Sequence, residues 1–232
     1  MKSLLKYKNA LILSAVIFIL AELALFPLIQ RGSGDTAVIS CYLAIVCVAL
    51  FALVTLRGEA SGHFIRLGIA FTLVADYFLV IADDSKLEGV IAFIAVQACY
   101  FVYTFVSEDR RSVRLANAVS RVALTAVLTV SAFAVLGKDT DALAIASVIY
   151  YGNLLVNTVF AFLLGRRNLM FAIGLVLFCM CDLCIGLEVL FSSYLDASTM
   201  DFMYGANLNL PWLFYQPSQT LIGFSLWGKA RK

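Results

Sequence analysis

Residues 10–30 read ALILSAVIFILAELALFPLIQ, twenty-one residues with one carboxylate, Glu22, and no lysine or arginine. An α-helix rises about 1.5 Å per residue, so this run is ~30 Å long as a helix. That is the thickness of the hydrocarbon core of a bilayer. The same pattern recurs at 37–56, 64–82, 87–106, 113–136, 142–164, 169–191 and 209–227. The expectation is an all-α, polytopic integral membrane bundle of about eight transmembrane helices, forming a single domain over residues 1–232. The connections are short and carry Gly, Asp, Arg and Lys, except for the longer polar-aromatic stretch SSYLDASTMDFMYGANL at 192–208. Pro211 falls in the first turn of the last helix, where its missing N–H costs nothing.

Composition agrees. Of the 232 residues, 62% are hydrophobic and only 14% are charged, against ~25% charged in an ordinary soluble domain. A soluble fold of this size could not cover its surface with so few charges. The net charge of +2 is no footprint for nucleic acid. All six cysteines lie in apolar stretches, so the CxCxxC run at Cys179, Cys181 and Cys184 reads as helix packing. With no nearby histidine and no fourth ligand, no metal is expected there. The first apolar run exceeds the h-region of a signal peptide, and no small-residue cleavage site follows it.

The basic residues fall on one side. Fourteen of the seventeen are at the N-terminus, in the 57–66 loop, in the 107–121 region, in the 165–168 loop and at the C-terminus. Only Arg31, Lys86 and Lys138 are on the other side. The positive-inside rule then predicts a multi-pass protein of the cell membrane with both termini cytoplasmic. An even number of spans requires the same arrangement.

Polar groups at membrane depth are expensive, and each is a functional candidate. The candidates are Glu22, Asp76, Gln97, Tyr100, Asn153, Asn157, Asp182, Tyr215 and Gln219; Glu188 lies near a helix end. Counting rise per residue puts Asp76, Asp182 and Glu22 at ~18–20 Å from the inner face. Asn153 and Asn157, like Tyr215 and Gln219, are four residues apart and share a helix face. These groups are expected to line one internal polar space, with no lysine or arginine at comparable depth. Asp76 and Asp182 are the strongest candidates, because two carboxyls held together are equipment for acid–base chemistry. Gln97, Tyr100, Asn153, Tyr215, Gln219 and Glu22 are expected to contact the substrate. The structural alternative is that the amides and tyrosines only hydrogen-bond neighbouring helices. His63, the only histidine, falls in a loop, so no Ser–His pair is available, and no phosphate-binding or dinucleotide fingerprint is present.

The stretch Ala75-Asp76-Tyr77-Phe78-Leu79 with Gly89, Phe93, Gln97, Tyr100 and Phe105 resembles the first signature of the YhhN/lysoplasmalogenase family. Leu177-Phe178-Cys179-Met180-Cys181-Asp182-Leu183-Cys184-Ile185 is similar to its second, and Tyr215-Gln216-Pro217-Ser218-Gln219-Thr220-Leu221-Ile222 to its terminal motif. Three positions depart from the pattern: Ala75 stands for Gly, Gln97 for a common His, and Cys181 for a Ser. The resemblance implies an eight-helix layout and a cofactor-free hydrolase of the vinyl-ether bond of lysoplasmalogens, with a membrane lipid as its partner. Two other readings remain from the residues: a proton-coupled lipid or small-molecule transporter, or a non-catalytic membrane protein of the same fold.

Overall fold

The computed structural model describes residues 2–55, 59–82, 85–191 and 209–230. Eight long helices account for nearly all of these: α1 (Lys2–Arg31), α2 (Asp35–Val54), α3 (Gly62–Asp76), α4 (Lys86–Val106), α5 (Arg111–Leu136), α6 (Ala142–Leu163), α7 (Leu169–Phe191) and α8 (Leu210–Ala230). α3 runs on without a break into a π-helical turn, Tyr77–Ala82. No strand occurs among the described residues. Seven helices are long and apolar enough to cross a membrane, and the chain is a multi-pass membrane protein. α8 is the one outside that set. It carries Gln216, Ser218, Gln219, Thr220 and Ser225, and four of these five are buried. α8 packs against α1, α2, α3 and α7, so its polar side chains can face protein and not lipid.

Pairs of contacts fix the directions. Gly68 meets Tyr100 and Leu79 meets Gly89, so α3 and α4 are antiparallel. Phe93 packs on Tyr150 and Gln97 bonds Asn157, so α4 and α6 are parallel. Tyr150 bonds Asp182 and Thr158 meets Cys179, so α7 opposes α6. Phe178 packs on Tyr215 and Ser218 bonds Gly174, so α8 opposes α7. α7 and α8 approach closely at Gly174, where a Cβ would sit 2.8 Å from Ile222 and 3.0 Å from the Ser218 carbonyl. Such close approach over small residues is how membrane helices gain packing energy, since lipid supplies no hydrophobic drive between them.

α5 stands at the edge of the bundle. Asn117 is its one buried residue, while Val122, Val130 and Val135 are 72%, 69% and 78% exposed. In water such a face would be a liability; in lipid it is ordinary. This helix brings a correction. Arg121 lies eleven residues into α5 and inside its apolar span, not in a connecting region. With Arg121 moved, thirteen basic residues oppose three, so the charge argument for topology is unchanged. His63 and Arg66 also lie in the first turns of α3. The 192–208 stretch, Arg57, Asp83, Asp84, Arg231 and Lys232 are outside the described residues.

Candidate functional site

Asp76 is the last α-helical residue of α3, immediately before the π turn. A π turn adds a residue per turn and re-aims the side chains beside it, and such turns concentrate at functional sites. Asp76 is 3% exposed and accepts a hydrogen bond from the Tyr215 hydroxyl of α8 at 2.6 Å. Asp182 of α7 is half-buried and accepts one from the Tyr150 hydroxyl of α6 at 2.5 Å.

One ring joins the two pairs. Phe178, one turn before Asp182, has its centroid 5.3 Å from that of Tyr215 and 6.2 Å from that of Tyr150. Phe93 packs edge-on against Phe178 at 5.5 Å, and Trp212 edge-on against Tyr215 at 5.0 Å. Aromatic edges packed in this way hold both tyrosines in place. Among the described residues no lysine or arginine pairs with either aspartate. The arrangement is therefore two carboxyls from two helices, one buried and one half-buried, each with a phenol donor, around a common aromatic wall.

A second layer lies one turn to one side of the first. Thr72 precedes Asp76 by four residues, and Gln219 follows Tyr215 by four. Since α3 and α8 are antiparallel, both fall on the same side of the Asp76–Tyr215 bond. Gln97 and Tyr100 of α4 belong here too, with Tyr100 set against Gly68 and Thr72. Several amide atoms of this layer are conspicuously unsatisfied. Gln97 Nε2 and both amide atoms of Gln219 are buried with no hydrogen-bond partner among the described residues, and the buried hydroxyls of Thr72 and Tyr100 face each other. Buried polar groups are otherwise almost always bonded, so a cluster of exceptions calls for a reason.

Two of the expected substrate contacts are drawn elsewhere. Glu22 of α1 accepts from Gln216 Nε2 at 2.8 Å and from Thr220 at 3.3 Å. Gln216 is the neighbour of Tyr215, and successive helix residues point about 100° apart. Glu22 and Asp76 thus occupy different faces of α8, and the expectation of one shared space is corrected for Glu22. Asn153 is likewise turned away. Its side-chain oxygen accepts from Arg121, and its nitrogen donates to the Ile149 carbonyl at 2.6 Å. Arg121 also bonds Asn117 at 3.1 Å and Asn157 at 2.8 Å, and lies 4.4 Å over the Phe101 ring. A cation therefore sits inside the bundle at the level of Asn153 and Asn157, bonded to asparagines and not to either aspartate.

Tyr150, Phe178, Gln216 and Arg121 did not stand out in the sequence. Tyr150 completes the stripe Tyr150, Asn153, Asn157 at helical spacing, and Arg121 sits four residues after Asn117. Reading polar spacings through the apparent helix ends would have found both.

A model of the YhhN family matches residues 36–226. Neither a curated protein nor a solved structure matches the chain. The match covers most of the sequence and all of the two-aspartate core, and the chain belongs to the YhhN family.

Proposed function

We propose that this YhhN-family chain is a membrane-embedded hydrolase that cleaves the vinyl-ether bond of lysoplasmalogen-type lipids, with Asp76 and Asp182 as its acid–base pair. The observation that carries the reading is two carboxyls inside the bundle, each with its own tyrosine donor, whose tyrosines pack on one shared ring, Phe178. Family membership and the resemblance of the three motifs to lysoplasmalogenases support the same substrate.

The chemistry needs an acid, a base and water. One carboxyl, protonated, gives its proton to the vinyl carbon that does not bear oxygen. The remaining carbon becomes an oxocarbenium ion conjugated to the ether oxygen. The second carboxyl, ionised, takes a proton from water as the water oxygen adds to that carbon. The hemiacetal so formed expels the glycerol oxygen as an alcohol, leaving a fatty aldehyde and a glycerophospho-alcohol. Protons balance, since the one given to carbon is replaced by the one taken from water. Two carboxyls sharing one low-dielectric site resist double ionisation, which favours one protonated and one ionised carboxyl. The Tyr150 and Tyr215 hydroxyls hold the carboxyls in fixed rotamers, so no reorganisation is required during proton transfer. A lipid substrate accounts for reactive groups placed where the hydrocarbon lies. We assign the protein to the cell membrane with both termini cytoplasmic, on the distribution of its basic residues. The test is release of aldehyde from lysoplasmalogen by purified protein, with an ordinary acyl lysophospholipid as the control.

A further inference from the structure

Arg121 has five N–H donors and no acceptor. Its two terminal nitrogens donate to the side-chain oxygens of Asn117, Asn153 and Asn157, and one also reaches the Asn153 backbone carbonyl at 3.5 Å. Among the described residues no carboxylate is paired with it. An amide can be turned end for end with no change in shape, so something must fix its sense. Here a residue that can only donate does so. With its oxygen committed to Arg121, Asn157 points its nitrogen the other way. That nitrogen donates to Gln97 at both the backbone carbonyl and Oε1, 2.9 Å in each case. Gln97 therefore has its oxygen committed as well. Its Nε2 is buried, carries two hydrogens and has no partner among the described residues.

We infer that Arg121 is a positioning residue which, through Asn157, fixes Gln97 as an obligatory hydrogen-bond donor to an oxygen on the glycerol backbone of the bound lipid. The inference rests on the reading that this site takes a lysoplasmalogen-type lipid. Its own basis is the one-way chain from Arg121 to Gln97. The geometry suits a glycerol oxygen, because the layer of Gln97, Thr72, Tyr100 and Gln219 is one helical turn, about 5.4 Å, from the aspartates. An ether bond at the carboxyls would place the next oxygens of the glycerol at that remove. Gln219 brings a second unpaired amide to the same layer, and Thr72 and Tyr100 bring buried hydroxyls that face each other.

The test uses a lipid that cannot be cleaved: 1-O-hexadecyl-glycero-3-phosphocholine, whose ether is saturated, and its 2-deoxy counterpart, which lacks the hydroxyl. Binding of each to the purified protein is measured by ligand-dependent thermal stabilisation. The wild type is expected to bind the hydroxylated lipid at least about five-fold more tightly, the effect of leaving one buried donor unsatisfied. Gln97→Leu should bind both lipids alike. Arg121→Lys, which still can only donate, should retain most of the discrimination, and Arg121→Met should lose it. If Arg121→Met does not fold, Asn157→Leu breaks the next link and should lose it equally. Equal binding of both lipids by the wild type overturns the inference, as does discrimination that survives Gln97→Leu. Equal losses in Arg121→Lys and Arg121→Met would make Arg121 a structural clamp only. Aldehyde release from lysoplasmalogen without discrimination would leave the hydrolase reading standing and this inference failed. Discrimination without aldehyde release would do the reverse.

Discussion

Tyr215 donates its hydroxyl proton to Asp76 at 2.6 Å, joining α8 to α3 across 139 residues of sequence. Tyr150 does the same for Asp182 at 2.5 Å between α6 and α7. Tyr→Phe at either position keeps the ring packing on Phe178 and removes only the donor. Each variant should lose ~1–3 kcal/mol of stability, the usual worth of a hydrogen bond to a buried acidic group. The loss should be larger for Tyr215→Phe, because Asp76 is the more buried carboxyl. Turnover should fall ~10-fold in each if the bond is kept in the transition state. Thermal unfolding in detergent and aldehyde release at equal protein read the two effects separately.

Gly68 faces the Tyr100 ring so closely that a Cβ there would lie 2.4 Å from Cε1. Tyr100 is fully buried and edge-on to Phe171 at 5.1 Å, so it has nowhere to retreat. Gly68→Ala should cost ~1–3 kcal/mol by overpacking. Gly186→Ala is the control, since nothing lies within 4 Å of its added Cβ, and it should be neutral or slightly stabilising. Equal melting temperatures for the two variants would show that α3 and α4 are not this tightly packed.

Between α4 and α5, Glu108 bonds Arg110 at 2.8 and 2.9 Å. The Arg110 guanidinium and backbone N–H hold its carboxyl down at about 2, from an ordinary 4.5. A carboxyl depressed on folding stabilises the protein above its unfolded value and loses that contribution as pH falls towards 2. Comparing Glu108→Gln with wild type, the stability difference should be present at pH 6 and should vanish by about pH 2. It will be small and reduced by salt, because Arg110 is exposed. A difference that grew on acidification would contradict the pairing.

Topology gives a separate test. A tag after residue 232 should be inaccessible to antibody or protease in intact cells, and one inserted in the 192–208 stretch should be accessible. A C-terminal tag reached from outside would overturn the orientation.

The helices were legible because lipid imposes a simple rule. A span must be long, apolar and internally hydrogen-bonded, and all eight helices lie within a few residues of the runs seen in the sequence, apart from the longer N-terminal end of α1. The polar residues were legible for the same reason, since each stands out against an apolar background. Their grouping was not, because depth can be counted along a helix whereas azimuth depends on which neighbour a face meets. Tyr215 and Gln216 are adjacent in sequence, yet one serves Asp76 and the other Glu22. Arg121 was misplaced because a charge close to an apparent helix start reads as an interfacial residue. Only the three asparagines, from α5 and α6, show that it belongs inside. The π turn after Asp76 leaves no mark in the sequence.

The most direct test of the two-aspartate account is aldehyde release from lysoplasmalogen by the wild type, Asp76→Asn and Asp182→Asn at equal amounts of folded protein. The amide keeps the shape and can still accept from Tyr215 or Tyr150, but it can neither donate to carbon as an acid nor take a proton from water. The account predicts aldehyde release by the wild type and a fall of ~10²-fold or more in each variant, the usual share of general acid–base catalysis. Full activity in either variant would remove that aspartate from the chemistry. A wild type that releases no aldehyde, with proton-coupled solute uptake that both variants abolish, would contradict the hydrolase and establish a transporter.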